Sequence, residues 1–134
     1  MTENGTRRGL FLDLDGTLAD SVPVMRIVYR RFLEKFGKTG SDKAFQRLNG
    51  PPLRDVVAVL KHDHALALPI PELIADYTAL INEAYRSVVP TPGAQALLEA
   101  ANQTGWVVGV VTSAGEGAAQ AWLAHVGLAE MVAT

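Results

Sequence analysis

The chain has 134 residues, of which 49% are hydrophobic and 19% charged, and its formal charge is −2. Such a composition belongs to a folded domain with a core, not to a disordered or fibrous chain, and excludes a general electrostatic grip on nucleic acid or anionic membrane. With no cysteine, disulfides and thiolate metal sites are also excluded.

The N-terminus, MTENGTRRG, is polar, and the apolar stretch after it is broken by Asp13 and Asp15. That is no secretory core, and no apolar run approaches the roughly 20 residues that span a bilayer, so a cytoplasmic location is expected. Residues 8–15, RGLFLDLD, are apolar up to their carboxylates and read as a strand covered on both faces, the habit of a parallel sheet. After the turn residues Gly16 and Thr17, residues 20–37 predict a helix: Asp20 or Ser21 can cap it, Pro23 suits its first turn, and Val24, Ile27, Val28, Phe32 and Phe36 repeat at helical spacing. Gly37 ends it.

Further helices are predicted near 42–48, over 53–61 and over 71–85, separated by NGPP and LALPIP, whose Gly and Pro break helices. Beyond VVPTPG come a helix over 94–103, the charge-free β-branched run WVVGVVTS as a second buried strand, and a helix closed by Gly127. AEMVAT then reads as the opening of a third strand. Trp106 and Trp122 read as core and His125 as structural, while His62 and His64, two apart on a helix, point in different directions and suit no zinc site.

The order strand, helical block, helix, strand, helix, strand predicts an α/β fold: a doubly wound parallel sheet in residues 1–19 and 90–134, with an all-helical insertion over 20–89. Ligands of such sheets sit at the carboxyl ends of the strands. Asp13 and Asp15 fall at that end of the first strand, and Thr112 and Ser113 at that end of the second. Burying carboxylates at a strand end costs several kcal/mol unless a partner offsets it, an arrangement that folding alone does not explain. The alternative is structural: Asp13 capping the turn and Asp15 exposed beside it.

The stretches DLDGTLADS, LNGPPLRDVVAVL, TPGAQALLEA and VVGVVTSAG, which span nearly the whole chain, resemble the haloacid dehalogenase-like hydrolase superfamily, in its phosphoglycolate phosphatase-like branch with a helical cap. The resemblance implies a Rossmann-like core and a phosphomonoester hydrolase acting on a small phosphorylated metabolite through an aspartyl-phosphate. It implies Asp13 as nucleophile, Asp15 as general acid and base, and Mg²⁺ held by Asp13 and by Asp15, the latter through its backbone carbonyl. Gly16 and Thr17 would shape the phosphate loop, Thr112 with the Ser113 N–H would bind phosphate, and Arg54 with Asn49 would meet the substrate from the cap. An acid at the second position favours phosphatases and phosphomutases over dehalogenases.

The family also supplies a lysine and further metal-binding acids after the second motif. Beyond Thr112 this sequence has no lysine and no aspartate, only Glu116 and Glu130. The expectation is therefore a truncated form with weak or no activity, and an apolar sheet edge open to self-association. Two other readings stay open: a sugar phosphomutase on the same scaffold, and a non-catalytic binding or assembly module that retains the fold.

Overall fold

The computed structural model describes residues 7–112 and 116–133. In chain order its elements are β1 (Gly9–Asp13), α1 (Val22–Glu34), α2 (Asp42–Leu48), α3 (Leu53–His64), α4 (Ile70–Tyr85), α5 (Ala94–Gln103), β2 (Val107–Val111), α6 (Glu116–His125) and a 3-10 turn, Ala129–Met131. They divide into two compact units: Val22–Ser87, which holds α1 to α4, and the rest of the chain on either side of it. No helix among the described residues is long and apolar enough to cross a membrane.

The helical unit is built from amphipathic segments. In α1, Val28 with Phe32 and Tyr29 with Leu33 stand four apart, share one face and are all buried. Ser41 caps α2 by accepting the Ala44 N–H at 3.1 Å, and α4 starts after Pro69, with Pro71 in its first turn. The core closes on aromatic pairs: Phe32 lies 4.8 Å from Tyr77 and 5.3 Å from Phe36 between ring centroids, and Tyr29 lies 5.6 Å from Phe45. Burial pushes the Tyr77 phenol above its ordinary range. After α3, Lys61 Nζ donates to the carbonyls of Leu66 at 2.9 Å and Leu68 at 2.7 Å, so this lysine ties down the turn into α4.

In the other unit β1 and β2 pair in parallel, with register running from Gly9 opposite Val107 to Asp13 opposite Val111. Side chains alternate between the two faces. On one side Leu14 and Val108 are buried, as are Leu98 and Ala101 of α5 and Trp122 and Leu123 of α6. The Trp122 indole N–H donates to the Val88 carbonyl at 3.0 Å, tying α6 to the returning chain.

Four expectations are corrected. The strands are not covered on both faces: Phe11 is 73% and Val111 62% exposed, because among the described residues nothing packs over the face they share. Phe11 instead lies across the sheet's own glycines, where a Cβ on Gly109 would come within 3.0 Å of its ring. Residues 129–133 are not a strand: Ala129–Met131 form the 3-10 turn, pinned by the Asn102 side-chain amide donating to the Met131 carbonyl at 3.0 Å, and the Ala133 N–H donates to the Val108 carbonyl of β2 at 2.7 Å, while Thr134 lies outside the described residues. Trp106 is half-buried rather than core, its ring facing the Arg8 guanidinium at 5.7 Å, and His125 is exposed in the last turn of α6.

Candidate active site

β1 ends at Asp13 because the chain turns there, and the turn is closed by its own backbone. The Thr17 and Ala19 N–H groups both donate to the Leu14 carbonyl, at 3.2 and 2.9 Å, and the Gly16 N–H donates to the Ala19 carbonyl at 2.9 Å. Gly16 sits at φ +76°, a left-handed conformation open to glycine and strained for other residues. Leu14, 1% exposed, anchors the loop in the core, so the residues flanking it are presented outward.

The two flanking carboxylates have different surroundings. Asp13 is exposed, and its Oδ1 accepts the Leu14 N–H at 2.8 Å. Asp15 is half-buried, and its Oδ1 accepts the Ser21 hydroxyl proton at 2.8 Å. Burial raises the Asp15 pKa, the Ser21 hydrogen bond opposes the rise, and the Asp13 charge adds to it. One acid is thus held towards its neutral form beside another that faces solvent, the kind of difference that separates proton-transfer groups from nucleophiles.

Thr112 immediately follows β2 and is half-buried. Since Asp13 pairs with Val111, the register sets Thr112 at the same carboxyl edge as Asp13, Asp15, Gly16 and Thr17. Ser113 lies outside the described residues. Asn49 and Arg54 belong to the helical unit: Asn49 caps the C-terminus of α2, Arg54 stands in the first turn of α3, and both are exposed.

Ser21 was missed as a site residue. Read from the sequence as a helix cap, it uses its hydroxyl proton on Asp15 and is wholly buried. The available signal was a hydroxyl residue six positions after Asp15, just where a tight turn brings the chain back.

A divalent cation can be tested against these residues. Both carboxylates offer hard oxygen donors at an exposed strand end, and among the described residues no three His, Cys, Asp or Glu side chains gather into a metal cluster. That set suits Mg²⁺, which binds through one or two carboxylates and keeps much of its water.

Comparison with known proteins agrees with this architecture. The family model described as haloacid dehalogenase-like hydrolase matches residues 10–134. The chain is similar to a protein assigned as a β-phosphoglucomutase from Thermotoga maritima, at 21% identity and TM-score 0.75, over 93% of this chain and 58% of that one. It is likewise similar to a predicted phosphoglycolate phosphatase from Haemophilus somnus, at 17% identity and TM-score 0.78, over 98% and 62% of the two chains. A third solved structure, a hydrolase from Deinococcus radiodurans with bound phosphate and sodium, shares 24% identity at TM-score 0.66, over 94% and 55%. The chain therefore spans about three-fifths of the length of these proteins, and the likeness is one of fold. No curated protein matches the chain.

Proposed function

The chain belongs to the haloacid dehalogenase-like hydrolase family, and from that premise we propose that it carries the phosphoryl-transfer residues of a Mg²⁺-dependent phosphomonoester hydrolase acting on a small phosphorylated metabolite. The observation that carries the proposal is the pair of unlike carboxylates at the end of β1, Asp13 exposed and Asp15 half-buried with its pKa raised. Bound phosphate in the Deinococcus radiodurans relative is in keeping with this ligand class.

In this reading Asp13 and the Asp15 backbone carbonyl would hold Mg²⁺, which would offset negative charge on the phosphate. An Asp13 oxygen attacks phosphorus as the ester P–O bond breaks, and Asp15, kept towards its protonated form by burial, gives its proton to the leaving oxygen. The same carboxylate then accepts a proton from the water that attacks the aspartyl-phosphate, which frees phosphate and restores both acids. Thr112 supplies a hydroxyl to the phosphate at the neighbouring strand end. By the family resemblance the helical unit corresponds to the cap. Hydrolysis rather than transfer back to a sugar is the simpler outcome, since no feature described above selects a sugar.

The test is phosphate release from 4-nitrophenyl phosphate with Mg²⁺. Release that Asp13→Asn abolishes is the predicted result; equal release by the two proteins overturns the assignment.

A further inference from the structure

Ser21 is 0% exposed and is the one buried polar side chain among the described residues. A buried hydroxyl is costly unless it is hydrogen-bonded, and this one gives its proton to Asp15 Oδ1 at 2.8 Å.

The donor is also held in place. Asp15 and Ala19 form a parallel bridge, and Ala19 and Pro90 an antiparallel one. The Asp20 N–H donates to the Val89 carbonyl at 2.9 Å, and the Thr91 N–H to the Leu18 carbonyl at 2.8 Å. Residues 18–20 are thus fixed on one side to the β1 turn and on the other to residues 89–91, and Ser21 follows them directly. A hydroxyl on so constrained a backbone is a stiff support for the group it bonds.

We propose that Ser21 is a positioning residue, whose hydroxyl holds the Asp15 carboxylate in one rotamer and so keeps it aimed at the oxygen it protonates. This deepens the phosphoryl-transfer reading and rests on it for its catalytic consequence. A carboxylate with three staggered rotamers available is productive only in those that reach the leaving oxygen. Ser21 touches neither substrate nor reacting atoms, and acts only through Asp15.

Two measurements decide the matter. Three-bond couplings from the Asp15 carboxyl carbon to its backbone nitrogen and carbonyl carbon report the side-chain rotamer without requiring catalysis. Wild type and Ser21→Thr should show the couplings of a single rotamer, and Ser21→Ala averaged ones. Ser21→Val, matched in shape to Thr but without the hydroxyl, should behave like Ala, which separates loss of the hydrogen bond from loss of packing. Single-rotamer couplings in both Ala and Val variants overturn the proposal.

The second readout is leaving-group dependence. Ser21→Ala should lower kcat for an alkyl phosphate roughly tenfold more than for 4-nitrophenyl phosphate, whose leaving group needs little protonation, with KM unchanged and Thr restoring the ratio. Equal slowing of both esters removes the catalytic consequence. Phosphate release that persists in Asp13→Asn would instead remove the phosphoryl-transfer reading and leave the rotamer result standing.

Discussion

In the helical unit four helices close around Val28, Phe32, Val57, Leu60 and Leu73, whereas the unit built on β1 and β2 buries one sheet face and leaves Phe11 and Val111 of the other exposed. Charge separates the units as well. Eight of the twelve Lys and Arg residues fall between Arg26 and Arg54, while the sheet-bearing unit, with Asp13, Asp15 and Asp20 at its turn, has only Arg7 and Arg8. The contrast teaches that tight packing and clustered acids have been given to different parts of the chain. The well-sealed unit holds no paired carboxylates in its core, and the less sealed one puts its acids where a strand ends.

The largest predicted effect breaks the sealed unit. Phe32→Ala removes the ring at the centre of the aromatic contacts and should cost about 3–5 kcal/mol, read by denaturant unfolding. Hydrogen exchange should show lost protection first in α1 and α4, and equal loss in β1 and β2 would mean that the units do not differ in this way.

Trp122→Phe comes next. It keeps most of the apolar bulk but strands the Val88 carbonyl, and should cost about 1–3 kcal/mol, measured the same way. Asp15→Asn is expected to stabilise. Because the folded-state pKa of Asp15 is raised, the native chain binds that proton more tightly than the unfolded chain does, and the group's contribution, full at low pH, is lost as pH rises through the raised value. The Asn variant should therefore melt on the order of 2 °C higher at pH 7, with the advantage fading as the pH falls towards 3.8, the ordinary aspartate value. The smallest effect sharpens the contrast: Phe11→Ser, the same residue type as Phe32 but 73% exposed, should change stability by less than about 0.5 kcal/mol. It should also reduce any self-association seen by sedimentation.

The helices were the more legible part of the sequence. Their signal is local: Val28 and Phe32 stand four apart, Ser41 precedes Asp42, and Pro69 and Pro71 bracket the start of α4, each recording a contact or cap within a few residues. The strands were legible as strands but not as surfaces. GLFLD and VVGVV lack charge before Asp13, and an uncharged run does not say whether one face or both are covered; that depends on which other elements pack there. AEMVAT misled for a related reason: its β-branched Val132 is extended, but the Asn102 bond to Met131 holds the residues before it in a turn. At the candidate site, Asp13, Asp15 and Thr112 were legible because a strand end fixes where side chains go. The Ser21 bond was not read, since a hydroxyl six positions after Asp15 signals it only once the path of the turn is known.

The central claim is that the carboxylates at the end of β1 form a cation and phosphoryl site. A Mg²⁺ titration followed by amide chemical shifts, in wild type and Asp13→Asn, tests it most directly. Saturable shifts centred on residues 12–17 and Thr112 in wild type, lost in the variant, are the predicted result. Shifts that are scattered over the surface, or the same in both proteins, would contradict it.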